Sequence, residues 1–421
     1  MARAVAAIRR RRAPGPSRRD QLLDEAARQL NARGFTLTSL TDVADQLGVS
    51  RAALYYYVDD REDLVFQVYR RSCEILARRL GEAARPGRKA LDVVGEFIAR
   101  SLDPGEAELA ALSELGLLRS AERETVLGLY EAVVARLARV LEAGARAGEI
   151  RRCDYAIAAR CIISLIYWAP LAPRWTMAVP PVERRQVIAL VNDFLARGLA
   201  SDRARRVDPP RIDLSPLLAP KVAAFDRSAL AQARRETILL TASRMFNAKG
   251  VDTTSLDEIA AELGATKRTL YRYVGDKQAL VSACYDRAFR IYFFVARSAR
   301  EMGLGTEESS VATARAQAVA QQRMDICPLR PLVGFEGLNP GQRARVEALS
   351  RELSAISTRR MATDIDDGTM RPLELQLMLL VLPGLTTWLA KDLVEADAAR
   401  QIEIGDEVAE LMRIGLAPVG P

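Results

Sequence analysis

Two short strings hold the side chains best suited to chemistry: SRAALYYYVDD at Ser50–Asp60 and TKRTLYRYVGD at Thr266–Asp276. Each gathers phenols, hydroxyls and cations within a few turns of chain. Such groups donate hydrogen bonds to anions, and none of them takes up a proton at neutral pH, so their chemistry is recognition. The chain has no histidine, which removes the commonest general base and metal ligand together with every Ser-His or Cys-His nucleophile pair. Its five cysteines, Cys73, Cys153, Cys161, Cys284 and Cys327, form no C-x-x-C pair and read as reduced core thiols of a cytoplasmic protein. No glycine loop is built to cradle phosphate, and no carboxylates cluster at metal-ligand spacing. Neither a metal nor a cofactor is therefore expected. Net charge is +7 and the pI about 9.3, which fits a polyanionic partner and equally fits a solvated basic surface.

The two strings belong to a longer repeat. Set over one another at a constant offset of 216, Arg18–Val65 and Arg234–Val281 are identical at 21 of 48 positions. A weaker echo follows at an offset of 220, with Arg123/Arg343, Gly148/Gly368 and Trp168/Trp388. The chain is thus two copies of one unit. The boundaries read as a basic arm (1–17), a first head (18–65), a first helical domain (66–200), a Pro- and charge-rich linker (201–226), a second head (227–281) and a second helical domain (282–421). The opening arginines lack an apolar segment behind them, so they are not a secretory signal. No run reaches the roughly 18 uncharged apolar residues of a membrane span.

Each head reads as three short helices. Leu22, Leu23, Ala26, Ala27 and Leu30 share one face of the first, which ends at Gly34. Ser39 with Asp42, and Ser255 with Glu258, cap the second. After the turn glycines Gly48 and Gly264, Ser50 and Thr266 cap a third helix running through the tyrosines. Val43, Ala44, Leu47, Gly48, Val49, Leu54 and Tyr57 are spaced to lock one helix across another, and Ile259, Ala260, Leu263, Gly264, Ala265, Leu270 and Tyr273 repeat the set, as a helix-turn-helix requires.

GFTLTSLTDVADQLGVSRAALYYYVDDREDLV and GVDTTSLDEIAAELGATKRTLYRYVGDKQALV both resemble the DNA-binding domain of the TetR (tetracycline-repressor) family. Val58 and Val274 stand where that family usually has phenylalanine, Arg61 where lysine is usual, and Ala265 where the turn has valine. The resemblance implies an all-α fold of two tandem units, each a three-helix DNA-binding domain followed by a helical regulatory domain, paired as an intramolecular pseudo-dimer. In a helix-turn-helix the second helix enters the major groove with its N-terminal residues at base edges, which selects Arg51 and Ala52, and Lys267 and Arg268, as base readers. Arg and Lys bond guanine, whereas alanine offers only apolar contact, so the two heads should prefer different half-sites. Tyr55/Tyr271, Arg61/Lys277 and Ser39/Ser255 match positions that clamp phosphate in the family. Tyr56 and its counterpart Arg272 lie near the backbone or a base edge; Tyr57 and Tyr273 lock the helix or also touch DNA.

Behind the heads, helical patterns span Glu62–Leu80, Lys89–Ser101, Ala121–Ala147, Asp154–Leu171, Pro181–Ala200, Lys277–Arg300, Glu307–Arg323, Gly341–Asp364, Pro372–Val394 and Ala398–Leu416. The family resemblance implies an effector pocket among them and a four-helix interface, here between Asp154–Ala200 and Pro372–Leu416. Tyr167, Trp168, Trp175 and Trp388 lie closest to that pocket, as packing or as ligand contacts, and the low charge nearby favours a small apolar effector. The expected partner is double-stranded DNA, bound by a chain that is monomeric in mass and dimeric in form, further dimerisation being open. The function expected is a ligand-responsive repressor reading a pseudo-palindromic or asymmetric operator. Two alternatives remain: a chain in which only the second head binds DNA and the first docks a protein, and an all-α enzyme.

Overall fold

The computed structural model describes residues 17–175, 183–218, 227–389 and 396–420. About 70% of the chain is helical, with no strand among the described residues and one isolated antiparallel bridge between Ala200 and Met370. Unit one comprises α1 (Arg18–Arg33), α2 (Leu40–Leu47), α3 (Arg51–Leu54), α4 (Arg61–Ala83), α5 (Ala90–Leu102), α6 (Ser120–Arg146), α7 (Tyr155–Trp168), α8 (Ala172–Trp175) and α9 (Arg184–Arg197). Unit two comprises α10 (Arg227–Lys249), α11 (Leu256–Glu262), α12 (Lys267–Val274), α13 (Lys277–Glu301), α14 (Thr306–Gln322), α15 (Pro340–Asp366), α16 (Leu375–Val381) and α17 (Ala398–Ile414). None of the helices among the described residues is long and apolar enough to cross a membrane.

Local chemistry explains where the elements begin and stop. Ser17 accepts the Asp20 N–H at 3.1 Å while the Asp20 carboxylate accepts the Ser17 N–H at 3.3 Å, a reciprocal cap that starts α1. Leu22, Leu23, Ala26, Ala27 and Leu30 are all buried on its inner face. Two departures from the sequence reading stand out. The third helix of head one stops at Leu54; the Tyr57 and Val58 N–H groups both turn back to the Leu54 carbonyl, and three successive aromatic residues are weak helix formers. Likewise the pattern over Pro372–Val394 is not one helix. It gives α16 and then a tight turn over Leu382–Leu385, because Pro383 has no N–H to continue the ladder and Gly384 packs against Leu165 and Trp168 of unit one. The end of that pattern, 390–395, and Pro181 lie outside the described residues.

The same joints fasten each head to its helical domain. Asn31 on α1 donates to the Leu109 carbonyl at 2.8 Å and accepts the Ala111 N–H at 3.0 Å. Its counterpart at offset 216, Asn247 on α10, bonds the Pro328 carbonyl at 2.9 Å and the Arg330 N–H at 3.0 Å. Arg71 of α4 pairs with Asp24 at 2.8 Å and Asp20 at 3.6 Å on α1, and the counterpart Arg287 of α13 pairs with Glu236 on α10. Paired charges are what make a guanidinium as buried as that of Arg287, 1% exposed, tolerable.

The two units meet about an internal pseudo-twofold axis. The Leu199 N–H bonds the Met412 and Arg413 carbonyls at 3.0 and 2.9 Å, and the Leu416 N–H bonds the Leu195 carbonyl at 2.7 Å. The Ala200 N–H reaches the Arg413 carbonyl at 2.8 Å, and Ala417 mirrors it onto Ala196 at 2.9 Å. Arg151 and Arg371 repeat the pattern: each Nε donates at 2.6 Å to a glycine carbonyl across the axis, Gly415 and Gly198 respectively. Those glycines are required. Both have φ near +65° (65° and 67°) and ψ of −156°, a region open to glycine alone, and a Cβ on either would collide with the opposite backbone. α7, α9, the turn Leu382–Leu385 and α17 form the core of this interface, whose apolar cluster runs from Cys161 and Ile162 to Leu385 and Trp388.

Residues 201–218 of the linker are laid along unit two rather than hanging free. Val207, Ile212 and Leu214 are buried, Arg211 makes a two-pronged pair with Asp406 at 2.9 and 2.8 Å, and Arg203 donates to the Ile414 and Ala417 carbonyls at 2.8 and 2.5 Å.

Candidate nucleic-acid interface

In head one the Ser39 hydroxyl accepts the Asp42 N–H at 3.1 Å, starting α2. Gly48, in the left-handed conformation, turns the chain out of it. The Ser50 hydroxyl accepts the Ala53 N–H at 3.2 Å and starts α3. Leu54 is buried against the head core while Arg51, Ala52, Tyr55 and Tyr56 face solvent, Tyr56 being 85% exposed. Arg51 donates to the Tyr55 hydroxyl at 3.0 Å. Tyr57 is half-buried and sets its ring edge-on to Tyr56, 5.1 Å between centroids. Arg61 at the start of α4 lies over the Phe35 ring, 3.5 Å from its centroid, with its Nε buried and unbonded.

Head two uses the same caps. Ser255 and Glu258 bond reciprocally at 2.8 and 3.1 Å, and the Thr266 hydroxyl accepts the Thr269 N–H at 3.2 Å. Its third helix, α12, is eight residues long against four for α3. Lys267, Arg268, Tyr271 and Arg272 are exposed on it. Lys267 reaches Asp257 of α11 at 2.8 Å, a hydrogen bond that raises its pKa. Tyr273 is half-buried; hydrogen bonding to Arg234 and Arg272 holds its phenol below the ordinary tyrosine range. Lys277 donates to the Asp252 carbonyl at 3.3 Å, and burial pulls its pKa down.

The heads also touch one another. Thr36 donates to the Asp252 carboxylate at 2.7 Å, and these two positions are counterparts at offset 216. Close by, Arg174 of α8 donates to the Asn31 carbonyl at 2.6 Å and pairs with Glu336 of unit two. Gly116 packs on the backbone of Ala248 and Lys249 at the end of α10. Sequence reading missed these contacts, as well as Gly198, Gly415, Arg151 and Arg371. A signal existed for the glycines: Gly-Leu-Ala stands at both 198–200 and 415–417.

The four aromatic residues singled out for an effector separate. Tyr167 and Trp168 are buried and border a cleft between head one and unit two; the Tyr167 hydroxyl lies 3.8 Å from the Cys73 sulfur. Trp388 is buried in the inter-unit core and donates to the Leu385 carbonyl at 2.9 Å. Trp175 alone of the four lines a cavity of about 200 Å³ among α13, α14, α15, α16 and α17 of unit two.

Comparison with known proteins agrees with this geometry. The profile described as bacterial regulatory proteins, tetR family, matches residues 22–68 and again 238–284. The profile described as tetracyclin repressor-like, C-terminal domain, matches 91–199. The HTH-type transcriptional repressor KstR2 of Rhodococcus jostii (strain RHA1) is 28% identical over 190 residues, 42% of this chain and 91% of the relative. The fatty acid metabolism regulator protein of Bacillus subtilis (strain 168) is 23% identical over 180 residues, 42% of this chain and 90% of its own length. Among solved structures, the TetR family transcriptional regulator PfmR from Thermus thermophilus aligns with 42% of this chain and 96% of its own, at 20% identity and a TM-score of 0.37. The two curated relatives, matched over about nine tenths of their own length, each cover 42% of this chain. With two capped helix-turn-helix heads, each followed by a helical domain, the chain carries the DNA-binding domain of the tetR family of bacterial regulatory proteins twice.

Proposed function

We propose that this chain is a ligand-responsive transcriptional repressor, acting in the cytoplasm as its own dimer, whose two covalently joined heads read two half-sites of one pseudo-palindromic or asymmetric operator. The observation that carries this reading is the reciprocal backbone pairing about Gly198 and Gly415. An isologous contact of that kind ordinarily joins two subunits, and here both halves lie in one chain. Tethering holds each half at an effective concentration on the order of millimolar for the other, so assembly does not depend on how much protein is present. Arg51 and Ala52, and Lys267 and Arg268, are the base readers in this proposal. Ser39, Ser50, Tyr55, Tyr56, Ser255, Thr266, Tyr271, Arg272 and Lys277 fix the phosphates, with Arg61 joining them by swinging off Phe35. The family relationship and a relative named as a repressor support the sign of regulation.

The test is footprinting on the DNA upstream of the gene, with mass measured in the same solution. One 46.3 kDa chain should protect two successive major grooves about 34 Å apart. A complex that forms only with two chains and four heads overturns the proposal. One observation favours a second reading, in which only head two binds DNA: α12 presents Arg268 and Arg272 besides Lys267, which Asp257 engages, whereas α3 is half as long and its one cation is engaged by Tyr55. Protection of a single groove would select it.

A further inference from the structure

We propose that the cavity in unit two is an effector site for a small apolar molecule bearing one carboxylate, with Arg360 as the anchor for that group. The proposal rests on the regulator reading above and names the ligand class.

The cavity exists because unit two lacks side chains that unit one has. Helices α6 and α15 are each 27 residues long and stand 220 positions apart, so their residues correspond one to one. Tyr130, Val134 and Leu137 of α6 are buried in unit one's core. Their counterparts on α15 are Ser350, Ser354 and Ser357, and all three line the cavity. Val140 becomes Arg360. Three truncations on one helix face open a space, and one substitution sets a cation in its wall.

The remaining walls are mainly apolar, formed by Phe289, Tyr292, Leu353, Leu379, Leu382 and Val408. Arg360 donates from Nη1 to the Thr313 hydroxyl at 2.9 Å, while its buried Nε has no partner. Among the described residues no carboxylate lies within ion-pair distance of it. Asp364, one turn along, is buried and accepts the Ser310 hydroxyl at 3.0 Å; burial raises its pKa although the Arg360 charge opposes the shift, so it faces Arg360 electrostatically without bonding it. Arg360 as a residue is only half-buried, but a buried donor left unused, as its Nε is, is costly, and a carboxylate satisfies the planar fork better than water or an alcohol does. A cavity of about 150 Å³ holds benzene, so about 200 Å³ suits a ligand of roughly eight to ten heavy atoms.

Occupancy would bear on both heads. Phe289 and Tyr292 sit on α13, which begins at head two. Trp175 comes from unit one and stacks on Phe289, with centroids 6.0 Å apart and planes 6° from parallel. Its neighbour Arg174 holds the end of α1 in head one.

The experiment titrates the full chain with hexanoate, octanoate and decanoate by calorimetry, using 1-octanol as the neutral match, and measures DNA binding on the same samples. One carboxylate should bind per chain, about 10- to 100-fold tighter than the alcohol, as a charge-assisted hydrogen bond provides. Arg360→Met should erase that preference, Arg360→Gln serving if the first variant fails to fold. Ser357→Leu, which restores unit one's residue, should exclude acid and alcohol alike. Equal binding of acid and alcohol, a preference that survives loss of Arg360, two sites per chain, or no binding by the folded protein overturns the proposal. A chain that takes octanoate but ignores DNA upholds this site and sinks the regulator reading; one that binds DNA but none of the acids does the reverse.

Discussion

Placing an alanine at Gly198 probes the pseudo-twofold axis directly. The residue sits at φ 65° and ψ −156°, where a non-glycine residue costs about 1–3 kcal/mol. Its Cβ would strike the Arg413 carbonyl and the Ile414 nitrogen, and forcing extra volume into packed backbone adds about 1–3 kcal/mol. Moving the end of α17 away stretches the Leu199 and Ala200 bonds to the Arg413 carbonyl, each worth about 1 kcal/mol. These terms overlap, because one displacement relieves the clash and breaks the bonds, so the expected loss is about 3–5 kcal/mol. Gly415 has the same geometry, and Gly415→Ala should cost the same within about 1 kcal/mol. For 421 residues melting as one unit, the unfolding entropy is about 0.9 kcal/mol per degree, and either change should lower Tm by about 3–6 °C. The double variant should lose less than the sum, since each alanine relieves part of the other's clash. Thermal melting followed by circular dichroism measures all three. A shift under about 1 °C for either single variant, or unlike shifts for the two, would refute the reciprocal packing from which the expectation is built.

Arg268→Ala should weaken operator binding by about 1–3 kcal/mol and relax specificity at one base pair, with Arg51→Ala doing the same at the opposite half-site; gel-shift titration on single-base operator variants reads both, and loss from head two alone selects the one-head reading. Lys277→Ala should weaken binding evenly across sequences and reduce the salt slope of log K by about 1, while an unchanged slope removes Lys277 from the phosphate set. For Glu236, burial opposes ionisation, but the Arg287 and Arg290 guanidiniums outweigh it and hold the carboxyl below its usual range. A depressed folded pKa means that this share of stability is fully present above the unfolded value near 4.5 and is lost as pH falls through the lower folded value. Glu236→Gln should therefore destabilise the chain by about 3 kcal/mol at neutral pH and flatten the acid limb of its urea-denaturation profile; equal acid sensitivity in both proteins would contradict the pairing.

The heads were legible because they are short-range objects. A cap three residues from its partner, a glycine at a turn and an apolar face at helical spacing are all written locally, and Ser39, Gly48 and Ser255 sit as their letters suggest. What the letters did not show arises between distant segments. The Asn31 and Asn247 joints are identical residues in the repeat, yet nothing local says that an asparagine on a helix will bond a loop about eighty positions away. The break at Pro383 was local in origin and was overridden in the reading by the apolar run around it. Arg360 falls inside the Gly341–Asp364 pattern with nothing local to single it out, because periodicity registers which residues are apolar and is blind to volume that is missing. Only a residue-by-residue comparison of α6 with α15 exposes the serines opposite Tyr130, Val134 and Leu137.

That comparison also bears on why two units should share one chain. In a symmetric homodimer every substitution appears twice, so emptying a core by three truncations, at about 2–5 kcal/mol for each large side chain lost, would weaken both subunits and leave neither fully packed. Joined units escape the constraint. Unit one keeps Tyr130, Val134, Leu137 and Leu141 buried, while unit two accepts a cavity with a cation in its wall. The same freedom acts on the heads, where α3 offers Arg51 and Ala52 and α12 offers Lys267 and Arg268. What must remain matched is the backbone pairing about the axis, and there the two units keep the same residues: Gly-Leu-Ala opposite Gly-Leu-Ala, and Arg151 opposite Arg371.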